Sequence, residues 1–318
     1  MPRLELTLCE YNLENLFLSM EYYDGHDLSQ ISEDDWKSLA LAQLQRKQKS
    51  IIKLRGLRDT IQKINPDILM LTEVGGHDSL LNFNRHFLAD AFDAYFVAGN
   101  SKRSIDLAFL VRKGIGLRAE AVSNKDTPVE VVAYQGKYEA KFSRDVAELR
   151  LYREDQLCLI LLLVHLKSKI SSDRDFQSND LRAAEAKALA AFYNAHRVRN
   201  HGVPFIVGGD FNAGLDSREL QSLKQTDLED MHAILGTDMD QQVSLVFFDF
   251  FKNAHPDVID YLLVSPELKD RIVPDRSYTY RYRSFYDIPN ELPQNKKERY
   301  LMPSDHYPLV ITIELGEE

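Results

Sequence analysis

Val207-Gly208-Gly209-Asp210-Phe211-Asn212 follows directly on the apolar run Pro204-Phe205-Ile206. Taken alone it is a strand running into a turn. It gains meaning from five other short stretches. Pro303-Ser304-Asp305-His306-Tyr307-Pro308 opens the last apolar run, and Val258-Ile259-Asp260-Tyr261-Leu262-Leu263-Val264 lies between the two. Upstream stand Tyr11-Asn12-Leu13-Glu14-Asn15, Leu71-Thr72-Glu73-Val74 and Val164-His165-Leu166-Lys167-Ser168. Each places an acid, an amide or an imidazole at the end of a run that reads as a strand.

The spacing predicts strands near 4–11, 67–72, 94–99, 105–111, 129–134, 138–142, 146–152, 157–165, 204–209, 244–248, 258–264, 277–283 and 307–315. Helices are expected over 35–64, 77–89 and 178–199. The last would be capped by Asn179 or Asp180, with Ala183, Ala184, Ala188, Leu189 and Phe192 as its apolar stripe. Strands outnumber helices and include hairpin-like neighbours within 129–164. Two mixed sheets flanked by helices therefore fit better than one alternating parallel sheet. Motifs scattered from Asn12 to His306 favour a single domain over residues 1–318, because one site must collect them all.

The 318 residues are 44% hydrophobic, enough for a large core. No apolar run approaches the length of a membrane span. The opening Met1-Pro2-Arg3-Leu4-Glu5-Leu6 reads as a first strand rather than a leader, which predicts a cytoplasmic protein. Cys9 and Cys158, the only cysteines, are expected as buried free thiols. The net charge of −10 speaks against wrapping of nucleic acid over a broad surface but not against a local basic rim.

Residues 19–50 form an insertion beside the first motif. It comprises a polar loop, Tyr22-Tyr23-Asp24-Gly25-His26-Asp27, and a charged helix with the only tryptophan, Trp36. It reads equally as a lid or as a solvated excursion. Residues 281–303 interleave Arg281, Arg283, Lys296, Lys297 and Arg299 with Tyr280, Tyr282, Phe285, Tyr286 and Tyr300. Such a loop could track a polynucleotide, or simply be exposed.

The motif chemistry is that of a divalent-metal phosphoesterase. Hard cations take oxygen ligands, and Glu73 ends a buried strand where an unpaired carboxylate is costly. Asn12 and Glu14, two apart on an extended stretch, point to one side and either could reach a metal; an Asx turn is the plainer alternative. Asp210 and Asn212 share that spacing and suit a water-activating base and a donor to phosphate oxygens. His306 needs an orienting partner, and Asp260 is a candidate, leaving Asp305 for the metal; Ser-Asp-His can equally be a structural cap. His165, Lys167 and Lys169 fall on one edge and suit a phosphate, or else are a satisfied histidine with solvated lysines. Arg182 adds a phosphate contact or a salt bridge.

Together these motifs resemble the endonuclease/exonuclease/phosphatase superfamily, whose DNase I-like fold is a four-layer α/β sandwich with the site at one edge of two packed sheets. The resemblance covers essentially the whole chain and rests most on Gly-Asp-Phe-Asn, Ile-Asp-Tyr and Ser-Asp-His. It implies Glu73, Asn12 and Asp305 as ligands of Mg²⁺ or Mn²⁺, with Glu14 as a further candidate. It implies Asp210 as the residue acting on the attacking water, Asn212 on the phosphate, and His306, oriented by Asp260, on the scissile group. His165 resembles the second histidine of DNase-like and sphingomyelinase-like members. Tyr-Asn-Leu-Glu-Asn-Leu-Phe, His165-Leu166-Lys167-Ser168-Lys169 and Arg103-Ser104-Ile105-Asp106 look most like a bacterial nuclease-like branch; there Arg103 would join the phosphate contacts, and Ser104 stands where glycine is usual. The absence of Tyr-Arg after Gly-Asp-Phe-Asn, and of a Trp-Cys-Asp-Arg motif, argues against an inositol 5-phosphatase. The resemblance thus implies an endo- or exonuclease on a nucleic-acid substrate. The alternatives are a lipid or small-molecule phosphoesterase and a silent binding member, the last expected to show broken ligand positions.

Overall fold

The computed structural model describes residues 3–18, 28–42, 48–134, 136–169, 175, 178–284 and 286–316. Two six-stranded mixed sheets form its centre. The first holds β1 (Leu4–Leu16), β2 (Ile68–Val74), β3 (Phe92–Val97) and β4 (Asp106–Arg112). The second begins with β5 (Arg118–Val122); the hairpin of β6 (Pro128–Ala133) and β7 (Gly136–Lys141) intervenes. It continues with β8 (Val146–Arg153), β9 (Gln156–His165), β10 (Phe205–Asp210) and β11 (Glu229–Asp230). A second hairpin, β12 (Leu245–Phe248) and β13 (Ala254–Asp257), precedes β14 (Asp260–Val264) of that sheet. β15 (Tyr278–Thr279) and β16 (Leu309–Leu315) return to the first. Strand orders are β15-β16-β1-β2-β4-β3 and β11-β14-β10-β9-β8-β5.

The inner faces of the sheets pack against each other through Leu6, Leu8, Ile68, Met70, Leu161, Leu163, Ile206 and Leu262. The outer face of the first sheet is covered by α2 (Ile51–Ile64) and α3 (His77–Phe87), whose Leu54, Leu57, Leu80 and Phe83 meet Tyr11, Leu13 and Leu71. The outer face of the second is covered by α4 (Asn179–Arg199) through Leu189 and Tyr193 against Leu162 and Phe205. The four-layer sandwich of two mixed sheets flanked by helices is thus as expected from the sequence.

Several elements differ from expectation. The helix expected over 35–64 is described as α1 (Glu33–Ala42) and α2, with 43–47 outside the described residues. The Tyr22–Asp27 loop also lies outside them. Trp36 is not on a solvated excursion: it is buried, and its indole N–H donates to Lys49 O at 3.2 Å. α4 starts at Asn179, but Asp175 does the capping, its carboxylate accepting the N–H groups of Asp180 and Leu181. Ala184 and Leu189 of the expected stripe are buried and Ala188 and Phe192 are partly so, but the buried face also takes in Arg182, Glu185, Ala186, Ala190, Tyr193 and His196. Helical spacing was right; polarity misled, because Glu185 enters the interior to accept the N–H groups of Ser143 and Lys167.

Gly208 and Gly209 let β10 pass between its neighbours. A Cβ on Gly208 would meet the mobile ends of Leu262 and Met70 at 2.8 and 3.1 Å. One on Gly209, at φ +135°, would lie 1.9 Å from the carbonyl oxygen of Val164 in the adjacent strand. Backbone strain and overpacking together cost about 2–6 kcal/mol. Gly209→Ala is therefore expected to lower Tm far more than Gly208→Ala, read by thermal melts of both. Equal melts would show that β9 and β10 part without penalty.

Candidate active site

β1 and β2 run parallel, as do β9 and β10. Their carboxyl ends open at one edge of the sandwich, where open α/β sheets place ligands. In the second sheet the register sets His165 opposite Asp210 and Asp210 opposite Asp260, so three side chains share one cross-strand row. In the first sheet Asn12 pairs with Thr72, next to Glu73. Chain direction therefore brings together Asn12, Glu73, His165, Asp210, Asp260 and His306.

Local backbone distortions aim the rim. Glu14, Asn15, Glu73 and Asn212 all have positive φ, between 48° and 59°, a conformation unfavourable for side chains with a Cβ. β1 is irregular between Asn12 and Leu16, and β2 between Leu71 and Val74. Such bulges turn a side chain out of the regular alternation and are frequent beside functional sites. Ser104, in the position expected to favour glycine, also takes φ +54°, so the turn forms with serine.

Asp260 and His306 are joined. The imidazole Nδ1 lies 2.8 Å from Asp260 Oδ2 and 3.1 Å from Oδ1, with Asp260 fully buried. Ser304 Oγ accepts the His306 N–H at 3.2 Å and donates to Asn12 O at 2.7 Å, tying the motif to β1. The opposite nitrogen, Nε2, stands 3.9 Å from Asp305 Oδ1 and 4.0 Å from Asp210 Oδ2. Burial alone would push this imidazole down, but Asp260, Asp305 and Asp210 draw its pKa well above the ordinary histidine value. His306 is thus drawn toward its charged form, with Nε2 within 4.0 Å of two carboxylates.

Asp210 is held by Asn12 Nδ2, which donates to Oδ2 at 3.1 Å, and by the Asn212 N–H on Oδ1 at 2.8 Å. Burial, reinforced by the negative charge of Asp260, raises its pKa to about 7, despite His306. A carboxyl poised near neutrality suits proton transfer. His165 Nε2 lies 3.4 Å from Asp210 Oδ2. Burial and then Arg144 push His165 well below the usual range, so it is the neutral imidazole beside the charged one.

Glu73 accepts the Asn15 N–H at 2.9 Å, and Asn15 Oδ1 in turn accepts Arg103 Nη2 at 2.8 Å. Burial raises the Glu73 pKa, and Asp305 raises it further. Glu73 and Asp305, close enough to disfavour each other's charge, offer carboxylate oxygens of the kind a hard divalent cation takes, while Asn12 Oδ1 accepts the Glu14 N–H at 2.9 Å, the Asx turn that the sequence allowed. Asp210, Asp260 and His306 also bring ligand-type atoms within 4.8 Å of one another. That cluster is already bonded internally through the imidazole Nδ1, so the oxygen set suits the cation better.

Two residues expected at the site are otherwise engaged. Glu14 forms ion pairs with Lys49 at 3.3 Å and with Lys53, so its carboxylate is neutralised by two ammonium groups and is not a free ligand. Arg182 is fully buried and donates to Lys167 O at 2.8 Å and Asn179 Oδ1 at 2.6 Å. It braces the Lys167 backbone rather than facing a phosphate. Lys169 is half-exposed, 3.7 Å from Asp257 Oδ2. Asn212 Nδ2 donates to Leu166 O at 3.1 Å. Most of the described part of the 281–303 segment is exposed, Arg283, Tyr286 and Tyr300 included, with Tyr282 buried. Arg281, Arg283 and Arg299 donate to the carbonyl oxygens of Asp240, Asp287 and Val246, while Lys296 and Lys297 are exposed and Phe285 is outside the described residues.

Sequence reasoning missed two groups. Arg144, in the turn before β8, is buried, donates to Leu166 O at 3.2 Å and is electrostatically linked to Glu185, Asp210 and Glu73. Glu10 lies two residues before Asn12 on the inner face, fully buried, with no hydrogen-bond partner for either oxygen among the described residues. Burial, then the charge of Asp260, holds its carboxyl well above the usual range. The polar residue in the alternating apolar run Leu6, Leu8, Glu10 was the available signal.

Comparison with known proteins gives a consistent result. The model of the Endonuclease/Exonuclease/phosphatase family matches residues 43–306. Curated protein sequences give no match. Among solved structures, TDP2 from C. elegans is similar at 18% identity and TM-score 0.59, covering 97% of this chain and 75% of that one. The human Nocturnin catalytic domain with bound sulfate is similar at 14% and 0.61, covering 98% and 95%. A mannosyl-6-phosphatase of Bacteroides thetaiotaomicron is similar at 15% and 0.54, covering 98% and 100%. At these identities the likeness is one of fold.

Proposed function

Because the chain belongs to the endonuclease/exonuclease/phosphatase family, we propose that it is a divalent-metal-dependent phosphodiester hydrolase acting on nucleic acid. The observation that carries this reading is the pairing of the His306–Asp260 dyad, at 2.8 Å, with Asp210 across the same opening. A single catalytic domain accounts for the convergence of motifs from Asn12 to His306.

Roles follow from charge and position. Glu73 and Asp305, with Asn12, would hold Mg²⁺ or Mn²⁺. Such an ion supplies charge neutralisation on a phosphoryl oxygen. Asp210, held by Asn12 and the Asn212 N–H, accepts a proton from an attacking water. The His306 N–H, kept charged by Asp260, donates to a phosphate oxygen where negative charge develops. His165, neutral and 3.4 Å from Asp210, positions that carboxylate, and Asn212 lies beside the same phosphate path. Arg103, Lys167 and Lys169 supply positive charge at the rim.

The resemblance in fold to a sugar phosphatase supports a second reading, a small-molecule phosphoesterase. The silent-member alternative loses ground because the residues it would need to lose are present and assembled. A panel of single- and double-stranded DNA, RNA, bis-p-nitrophenyl phosphate, sugar phosphates, sphingomyelin and inositol phosphates, each with Mg²⁺, Mn²⁺ or EDTA, tests the proposal. Polynucleotide cleavage with Mg²⁺ or Mn²⁺ that stops in EDTA is expected. Turnover confined to small esters or lipid would move the assignment to the second reading.

A further inference from the structure

The β12–β13 hairpin leaves the rim of the site. Leu245 bridges to His306, Ser244 O accepts the Tyr307 N–H at 2.7 Å, and Ser244 Oγ accepts the N–H groups of Ile259 and Asp260 at 3.1 Å. The base of the hairpin is therefore bonded to both members of the dyad's backbone.

Its tip is a hydrogen-bonded turn of unusual composition. Asp249 O accepts the Lys252 N–H at 3.1 Å, closing a tight turn, and Lys252 sits at φ +68°. The Asp249 side chain accepts the Asn253 N–H at 2.8 Å and lies 3.0 Å from His255 Nε2, so its charge is engaged. The two corner positions, where turns ordinarily carry Asp, Asn, Gly or Pro, hold Phe250 and Phe251, 93% and 80% exposed. Their rings meet edge to face at 5.6 Å. Lower on the same hairpin Phe247 stacks on His255 at 4.9 Å, and Lys169 lies over the Phe247 ring at 6.0 Å. On the other face Arg299 sits 5.6 Å over Phe248 and donates to Val246 O, bracing the strand.

Two phenylalanines exposed side by side on one turn form an apolar contact surface, the kind of feature that marks an interaction site. Lys252 at the tip, and Lys169 at the base, where it lies over Phe247 and shares its charge with Asp257 at 3.7 Å, favour a ligand that is both anionic and aromatic. Phe250 is five residues from the position paired with His306, about 17 Å along an extended strand, a reach of a few nucleotides. We propose that the β12–β13 hairpin is a stacking platform for unpaired bases, so that the polynucleotide engaged at this site is single-stranded next to the scissile bond. Bases stacked inside a duplex present no free face to such rings, whereas aromatic platforms flanked by positive charge grip single strands irrespective of sequence. The inference rests on the polynucleotide reading above.

The test is the F250A/F251A double variant of the full chain, with its melt compared with the parent's. Anisotropy of a fluorescein-labelled single-stranded oligonucleotide in EDTA reads binding without turnover. Steady-state kinetics read KM and kcat on the oligonucleotide and on bis-p-nitrophenyl phosphate. Loss of base stacking is expected to raise Kd and oligonucleotide KM about 10- to 100-fold, with bis-p-nitrophenyl phosphate turnover unchanged. An oligonucleotide with abasic spacers flanking the cleavage point should reproduce the loss with the parent protein. Unchanged Kd and KM with polynucleotide cleavage intact would overturn the platform and leave the nuclease reading standing. No oligonucleotide binding or cleavage by the parent, with small esters cleaved, would overturn both. Binding of phosphatidylcholine vesicles, or self-association, abolished by the variant while oligonucleotide Kd stays constant would assign the phenylalanines to that other surface and overturn the platform.

Discussion

Asp210→Asn is expected to keep the fold and lower turnover by about 10²- to 10⁴-fold, the contribution of a positioned general base. The substitution preserves shape and removes only the ability to take a proton. Asn212 N–H still finds an oxygen at 2.8 Å, while the new amide meets Asn12 Nδ2, now donor against donor. That local conflict is offset by loss of a buried charge. The folded pKa of about 7 lies above the ordinary carboxylate value, so the folded state holds this proton more tightly than the unfolded one. Stability from this group is therefore present at low pH and falls as pH rises toward 7. Above that window the ionised carboxylate disfavours folding, and the neutral amide does not. At pH 8 the variant should melt no lower than the parent while metal-dependent hydrolysis collapses. Parent-level turnover in a folded variant would remove Asp210 from the mechanism.

The legible part of this molecule lies where apolar runs stop on a functional group. Glu73, His165, Asp210 and Asp260 each stand at or beside the end of a strand, and the pattern marked them as candidates because a buried strand leaves a polar group few plausible neighbours. What the pattern could not carry is direction. Glu14 has the same composition and spacing as its neighbours in the first motif, yet its carboxylate is taken by Lys49 and Lys53 from the far side of the 19–50 insertion. Arg182 sits one turn from Glu185, and whether a helix faces charge outward or inward is decided by partners such as Ser143 that lie far away in sequence. Arg144 was invisible for the same reason, whereas Glu10 broke the alternating apolar run Leu6, Leu8 and could have been marked. β5, Arg118-Ala119-Glu120-Ala121-Val122, was missed because its inward face is carried by the small Ala119 and Ala121, whose alternation with Arg118 and Glu120 is a weak apolar signal in so short an edge strand. The strand expected over 277–283 shrank to Tyr278–Thr279, since Tyr282 leaves the sheet to donate its hydroxyl to His306 O and to pair with Tyr11 at 2.7 Å.

These buried groups form one electrostatic device. Burial and then Arg144 lower the pKa of His165, whereas Asp260 raises that of His306 against burial, so two imidazoles 4 Å or less from the same carboxylate oxygen are pushed in opposite directions. Burial, then Asp260, pushes the Glu10 carboxyl the same way as that of Asp210, upward.

Glu73→Gln separates the metal from the fold, because its two effects have opposite signs. As a ligand Glu73 should contribute at least as much as the groups that merely orient ligands, so apparent Mn²⁺ affinity is expected to fall about 10- to 100-fold or more, with kcat/KM at limiting metal falling alongside it. As a buried carboxyl beside Asp305 it strains the metal-free protein: burial, then Asp305, raises its folded pKa, so stability is lost as pH rises from the ordinary glutamate range upward. At neutral pH the amide should leave the metal-free melt unchanged or higher. The left-handed backbone at φ +59° is retained by the variant and cancels from the comparison. Adding Mn²⁺ then distinguishes the proteins, since a ligand that binds only the folded state stabilises it in step with the logarithm of one plus the ratio of its concentration to Kd. The parent should gain in Tm across a Mn²⁺ titration, and the variant should gain little until far higher concentrations. Identical titrations would place the cation elsewhere. A metal-free melt well below the parent's would make Glu73 a structural carboxylate whose acceptance of the Asn15 N–H, at 2.9 Å, matters more than any ion it holds.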